Sequence, residues 1–115
     1  MAKKFSLLLG TVLLAVGVVG WMTGGHDHNL IIFGINMKHN VVHILSGALA
    51  LLAGFAGAKC AKAYCLVFGA VYGLVTVGGF LNIAPAVSLL NLNTADNFLH
   101  LAISATCLYV GLQKS

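Results

Sequence analysis

His39-Asn40-Val41-Val42-His43-Ile44 and Asp96-Asn97-Phe98-Leu99-His100-Leu101 are one hexad written twice, 57 positions apart. The same offset pairs Asn36 with Asn93, Leu51 with Leu108 and Gly54 with Gly111. Upstream, an offset of 59 pairs Leu9-Gly10 with Phe68-Gly69 and Gly20-Trp21 with Gly79-Phe80. A two-residue indel between the blocks reconciles the two offsets. The chain therefore reads as an internal duplication within one domain, residues 1–115, with repeat 1 over about 1–58 and repeat 2 over about 59–115.

What the repeats are made of follows from composition. Apolar residues make up 60% of the 115 positions and charged residues 7%. A water-soluble domain carries about 25% charged residues, and disorder needs low hydrophobicity, so both classes are excluded. A bilayer span needs about 20 mostly apolar residues. Phe5 to Met22, Asn40 to Ala58, Ala61 to Leu81 and Asn97 to Leu112 have that length and no strand-like alternation. The expected fold is an all-α membrane protein: four transmembrane helices built as two parallel helical-hairpin repeats. The axis relating parallel repeats runs along the membrane normal.

The lysines set the expected orientation. Lys3, Lys4, Lys59, Lys62 and Lys114 fall on one side of these spans, and Lys38 on the other. Excess lysine marks the cytoplasmic side, so both termini are expected there, and Asp27 and Asp96 outside. The basic start followed by an apolar run resembles a signal peptide, but the run is long and no A-x-A-like site follows it, so it reads as a retained first helix. The net charge of +4 is topological; no basic patch with aromatics invites nucleic acid. Expected partners are lipids and other membrane proteins, or a second copy of the chain.

Small residues seven apart (Gly10 and Gly17, Gly47 and Gly54, Ser104 and Gly111) suit close helix packing in lipid, as does Gly69-x-x-x-Gly73. Leu30 to Asn36 and Val87 to Asn93 are too apolar for free loops and too short to span. They read as interfacial or re-entrant segments over the bundle mouth, the second opening at Pro85. Trp21 and Tyr64 read as interface anchors, and Tyr72 as a core residue whose hydroxyl needs a partner. Cys60, Cys65 and Cys107 read as small buried hydrophobes.

The candidate chemistry lies in the twin N-x-x-H motifs. Asn40 and Asn97 at helix starts suit capping. His43 and His100 then sit one turn deeper, where a polar group must be satisfied. His39 and Asp96 lie four residues earlier on the same faces, so His39, His43, Asp96 and His100 converge if the second and fourth helices meet. Three histidines and a carboxylate suit Zn or another transition metal. Asp96 could instead orient His100 as an outer partner. Paired histidines also ligate haem, and a single one a pigment. A polar collar, with the histidines bonded to loop carbonyls or to the other repeat, accounts for the same residues without a ligand. His26 and His28 flank Asp27 in the external loop and offer further metal ligands, although neighbouring side chains point apart.

The A-D-N-x-x-H-L stretch at Ala95 to Leu101, with the earlier Asn40/His43 motif, resembles a family of small bacterial four-helix membrane proteins catalogued as a domain of unknown function. The resemblance covers nearly the whole chain. It implies four spans in a bacterial cytoplasmic membrane and implies no activity. His39 stands where that family's pattern is acidic. There is no Glu, no placeable Ser-His-Asp set and no phosphate loop, so an enzyme is not expected. An accessory or scaffold subunit of a larger membrane complex is the expected role, with a metal-, haem- or pigment-binding protein as the alternative.

Overall fold

The computed structural model describes residues 1–31, 33–83, 87 and 90–113. Pro85, expected to open the second external segment, and Lys114, counted with the cytoplasmic lysines, lie outside them. Four long helices carry the fold: α1 Ala2–Thr23, α2 Met37–Ala56, α3 Ala58–Phe80 and α4 Thr94–Leu112. α1, α2 and α3 are long and apolar enough to cross a membrane. α4 is not among them, because Asp96, Asn97 and His100 crowd its first turns and lower its mean hydropathy.

Each helix starts three residues before its apolar run. The polar residues that precede the runs, Lys3, Lys59 and Lys38 among them, form the first turns. A lysine can wind into a helix and extend its ammonium to the interface, so hydropathy finds where lipid begins rather than where the helix begins. The caps move accordingly. Asn36, not Asn40, caps α2 by accepting from the His39 N–H at 2.9 Å. Asn93, not Asn97, caps α4 by accepting from the Asp96 N–H at 2.9 Å.

The burial pattern is inverted relative to a water-soluble bundle. Ser6, Ser46, Thr76, Ser104, Asn40 and Asn97 are buried, while Leu8, Leu52, Phe55, Leu74 and Leu112 point outward. Large apolar side chains on the outside and small or polar ones within suit a bundle whose solvent is lipid. Tyr64 follows the same logic. Expected at an interface, it is buried, with its hydroxyl donating to the Ser46 carbonyl at 2.8 Å. That bond ties α3 to α2 and satisfies a phenol that lipid could not.

The tightest interfaces are α1 with α2 and α3 with α4. Glycine makes both possible. A Cβ at Gly10 would lie 2.7 Å from the Gly47 carbonyl oxygen and 2.8 Å from Leu51 Cγ. At the aligned Gly69, a Cβ would lie 2.8 Å from Leu108 Cγ. Likewise Gly54 faces Leu7 and Gly111 faces Leu66, while Gly20 sits on the Asn40 amide and Gly79 on the Asn97 amide. Hydroxyls reinforce both seams: Ser6 donates to the Ala50 carbonyl and Ser104 to the Gly69 carbonyl, each at 2.6 Å. Gly69 and Gly73 thus pack against α4 within the chain.

These contacts separate two glycines. A Cβ at Gly47 would meet backbone, 2.6 Å from Leu14 N and 2.8 Å from Gly10 O. A Cβ at Gly73 would meet only the Ser104 hydroxyl, at 3.0 Å. Gly47→Ala should therefore destabilise the detergent-solubilised protein by about 1–3 kcal/mol, as overpacking does. Gly73→Ala should be close to neutral, because alanine's better helix propensity offsets a small shift of a side chain. Thermal unfolding of the two variants checks this; equal losses would mean that the α1–α2 approach is not the limiting contact.

Candidate metal centre

One end of the bundle, at the start of α2 and α4, is roofed by a hairpin. β1, His28–Leu30, pairs antiparallel with β2, Phe33–Ile35, with His28 opposite Ile35 and Leu30 opposite Phe33. The first external segment was expected to lie over the mouth as an interfacial or re-entrant stretch; most of it is this strand pair. Pairing satisfies its backbone amides where water is scarce, which a lone apolar stretch could not do. Asn91 fastens the hairpin to the second loop. Its side-chain amide donates to the Ile35 carbonyl at 3.0 Å and to the His28 carbonyl at 3.2 Å. Gly34, aligned with Asn91 in the duplication, lies directly against the Asn91 carbonyl, and no side chain fits between. Asp27 closes the near side, accepting from the Asn36 amide at 3.1 Å.

Under this roof, α2 and α4 bring three histidines together. His39 and His43, four apart on α2, have ring centroids 4.3 Å from each other. His100, from α4, lies 5.4 Å from His39 and 6.1 Å from His43. All three are buried, and one ligating nitrogen from each lies within 4.8 Å of the others. A tetrahedral zinc with ~2.0–2.1 Å bonds places its nitrogens roughly 3.4 Å apart, so small ring rotations close the set on an ion. The rings border a space of about 30 Å³, walled by Val42, Val71, Val75 and Tyr72. That volume holds one ion or one water.

Hydrogen bonding defines what these rings offer. His39 Nδ1–H donates to the Leu90 carbonyl at 3.0 Å. That bond fixes its tautomer and leaves the Nε2 lone pair for a ligand, the arrangement found around metal-bound histidine. His39 Nε2 and both ring nitrogens of His43 and His100 have no protein partner among the described residues. The Tyr72 hydroxyl is in the same condition, with its ring 5.5 Å from that of His100. A buried polar atom left unpaired costs about 1–3 kcal/mol. Of the bonds to loop carbonyls that a purely structural collar would make, those of His39, to Leu90 and toward Gly34, are present among the described residues.

The other candidates are placed elsewhere. Asp96 is buried beside the cluster but closes a capping box, its Oδ2 accepting from the Asn93 N–H at 3.0 Å. It is not within the ligating group, and neither it nor any carboxylate holds His100. His26 and His28 lie against each other in the loop, ring centroids 4.4 Å apart and tilted by 31°, outside the ligating group. His28 Nδ1–H donates to the His26 carbonyl at 2.6 Å, and its Nε2 lies 2.9 Å from the Thr23 hydroxyl. Both of its nitrogens are engaged.

Tyr72, the Leu90 carbonyl and the Asn91 clamp join the site without having been singled out for it. Asn91 carried a usable signal: Gly34-Ile35-Asn36 aligns with Asn91-Leu92-Asn93, and both Gly34 and Asn91 stand at the crossing of the two loops. Asn91 has φ +52°, a conformation asparagine tolerates better than most residues.

The fold and the site define a helical bundle with an apolar exterior, three helices able to cross a membrane, and a buried cluster of histidines at one mouth. The chain belongs to the family described as domain of unknown function (DUF4383), whose profile matches residues 3–113. No curated protein and no solved structure matches it.

Asn91→Gly removes both clamp bonds while preserving access to positive φ. Losing them should speed amide hydrogen exchange in the hairpin by about fivefold per bond, about 30-fold for the two, since a typical bond contributes ~1 kcal/mol. Exchange that stays at the parental rate would show that the roof is held by other contacts.

Proposed function

We propose that this chain is an integral membrane protein that holds one transition-metal ion at the outer mouth of its bundle, on His39, His43 and His100. The observation that carries the reading is the sealed trio of imidazoles: five ring nitrogens from three converging rings lack a protein partner, around a space the size of an ion. A metal converts that cost into bonds. Nitrogen ligands suit Zn, Cu, Ni or Fe(II) rather than Mg or Ca. A porphyrin cannot enter the space of about 30 Å³ between the three rings, so the trio as a set suits an ion rather than haem. Asp27 and Asp96 are engaged in the loop and the cap. We therefore assign the ion no catalytic step, and the chain acts as a non-enzymatic accessory subunit within a larger membrane complex.

The direct test is metal content. Protein purified in detergent, stripped with chelator and reloaded with Zn²⁺ should retain about one ion per chain and melt at a higher temperature with zinc than without. His43→Ala should abolish both effects. If the parent protein takes up no Zn²⁺, Cu²⁺, Ni²⁺ or Fe²⁺, the reading fails and a bound water is the occupant.

We further infer four spans, arranged as two parallel hairpin repeats with both termini in the cytoplasm. The recurrence of glycine contacts along α1–α2 and α3–α4 supports the repeats. So does the mutual approach of aligned residues, His43 with His100 and Gly34 with Asn91, as expected beside a twofold axis along the membrane normal. Cys60 reports the orientation. It is exposed at the α2–α3 turn, whereas Cys65 and Cys107 are buried. A membrane-impermeant maleimide should label Cys60 in inside-out vesicles and spare right-side-out ones. The opposite result would invert the topology and put the histidine cluster inside.

A further inference from the structure

Three imidazoles complete only part of a coordination shell, and protein-built structural zinc sites hold four ligands. The space bordered by the histidines has one further wall that bears an orphaned donor. Tyr72, on α3, is 3% exposed, and its hydroxyl lies beside the Ser46 side chain without a well-formed hydrogen bond among the described residues. Its ring lies 5.5 Å from that of His100, and it borders the same volume of about 30 Å³. The remaining walls are valines, the Leu90 side and Ser46. Asp96 is engaged in its capping box.

We propose that Tyr72 Oη is the fourth ligand of the ion held by His39, His43 and His100, which makes this a three-nitrogen, one-phenolate centre. The proposal rests on the three-histidine reading above. On coordination the phenolic O–H breaks, its proton passes to solvent, and an oxygen–metal bond forms. Charge favours this ligand as well. A dication on three neutral imidazoles leaves two positive charges in a mouth with little water, and such charges are costly unless paired. The tyrosine oxygen brings the offsetting negative charge.

The ligand set then comes from three helices: α2 supplies two nitrogens, α4 one, and α3 the oxygen. α2 and α4 face each other chiefly through these side chains. A bound ion would tie the two halves of the duplication at their outer ends, as the Tyr64–Ser46 bond ties them deeper in the bundle.

Cu²⁺ is the probe, because phenolate bound to Cu(II) gives a visible charge-transfer band that imidazole alone does not. Chelator-stripped full-length protein is titrated with Cu²⁺ and followed by absorption and metal content. The expected result is one copper per chain with the band present in the parent protein. Tyr72→Phe, which removes only an unpaired oxygen, should still bind one copper through the histidines, lose the band, and weaken in affinity by roughly 10–100-fold. One copper per chain without the band in the parent, or a band that survives Tyr72→Phe, overturns the tyrosine ligand and leaves the histidine centre standing. No copper uptake by the parent overturns the tyrosine ligand, and the histidine centre falls with it if Zn²⁺, Ni²⁺ and Fe²⁺ are refused as well. If Tyr72→Phe does not fold, absence of the band in the parent still overturns the tyrosine ligand, and Tyr64→Phe and Tyr109→Phe, which should both keep the band, take the variant's place; loss of the band in either overturns the assignment to Tyr72.

Discussion

Backbone contact at glycine is the constraint on which the rest of this structure depends. In lipid, helices gain little by hiding apolar surface from one another, so association rests on close packing and interhelical hydrogen bonds. Gly10 against the Gly47 backbone on one seam, and Gly69 against the Leu108 side chain on the other, bring the helices close enough for both. Gly20 and Gly79 then leave no room for a side chain above Asn40 and Asn97, and this seats each asparagine amide against the neighbouring helix. Once the asparagines are fixed, the next inward-facing positions on α2 and α4 are His43 and His100. The glycines thus determine the rotation of α2 and α4, and that rotation aims the histidines at one another.

The same seams explain why the cluster is sealed. α1 and α3 make the closer diagonal of the bundle, and α2 and α4 the more open one. At the outer end, that open diagonal would be a gap in a bundle without imidazoles. The histidines fill it from the sides, and the hairpin, fastened by Asn91, covers it. A second and larger space of about 240 Å³ opens between α1 and α4 beneath the hairpin, with Leu13, Phe33 and Ile103 along it and His43 at its inner end. His43 is therefore the partition between an apolar cleft and the histidine-lined cavity.

The periodic features were legible in the sequence. Four apolar runs gave four helices, and the twin motifs gave the convergence of His39, His43 and His100, because both signals recur at fixed spacing. What escaped was decided by single contacts. The strands of the hairpin are three residues each, too short to show alternation. Asn40 and Asn97 look like caps because each stands at the edge of an apolar run, yet the preceding lysine- or aspartate-bearing turn is helical too. Tyr64 sits near an interface by position, and only the Ser46 carbonyl explains why it turns inward. Tyr72 gave no sign beyond being a phenol in mid-span, because its neighbours in the site lie on other helices.

Asp96 and His39 show how a duplication acquires a site that its symmetry alone would not give. They occupy the same position, the third residue of their helices, behind equivalent asparagine caps. Aspartate is short and anionic, so it folds back onto the Asn93 N–H and completes its own helix end. Histidine at that position does not close the box. Its ring instead reaches forward to the Leu90 carbonyl through Nδ1 and lies against the rings of His43 and His100. Two carboxylates here would have closed two caps and left a pair of histidines facing across the axis. One exchange of acid for imidazole leaves α4 capped by a full box, α2 capped by asparagine alone, and a third ring in the cluster. The cluster accordingly draws two rings from α2 and one from α4, and Tyr72 of α3 borders it. That asymmetry is why a tyrosine on α3 borders the cluster, while the residue aligned with it on α1, Leu13, lines the apolar cleft instead.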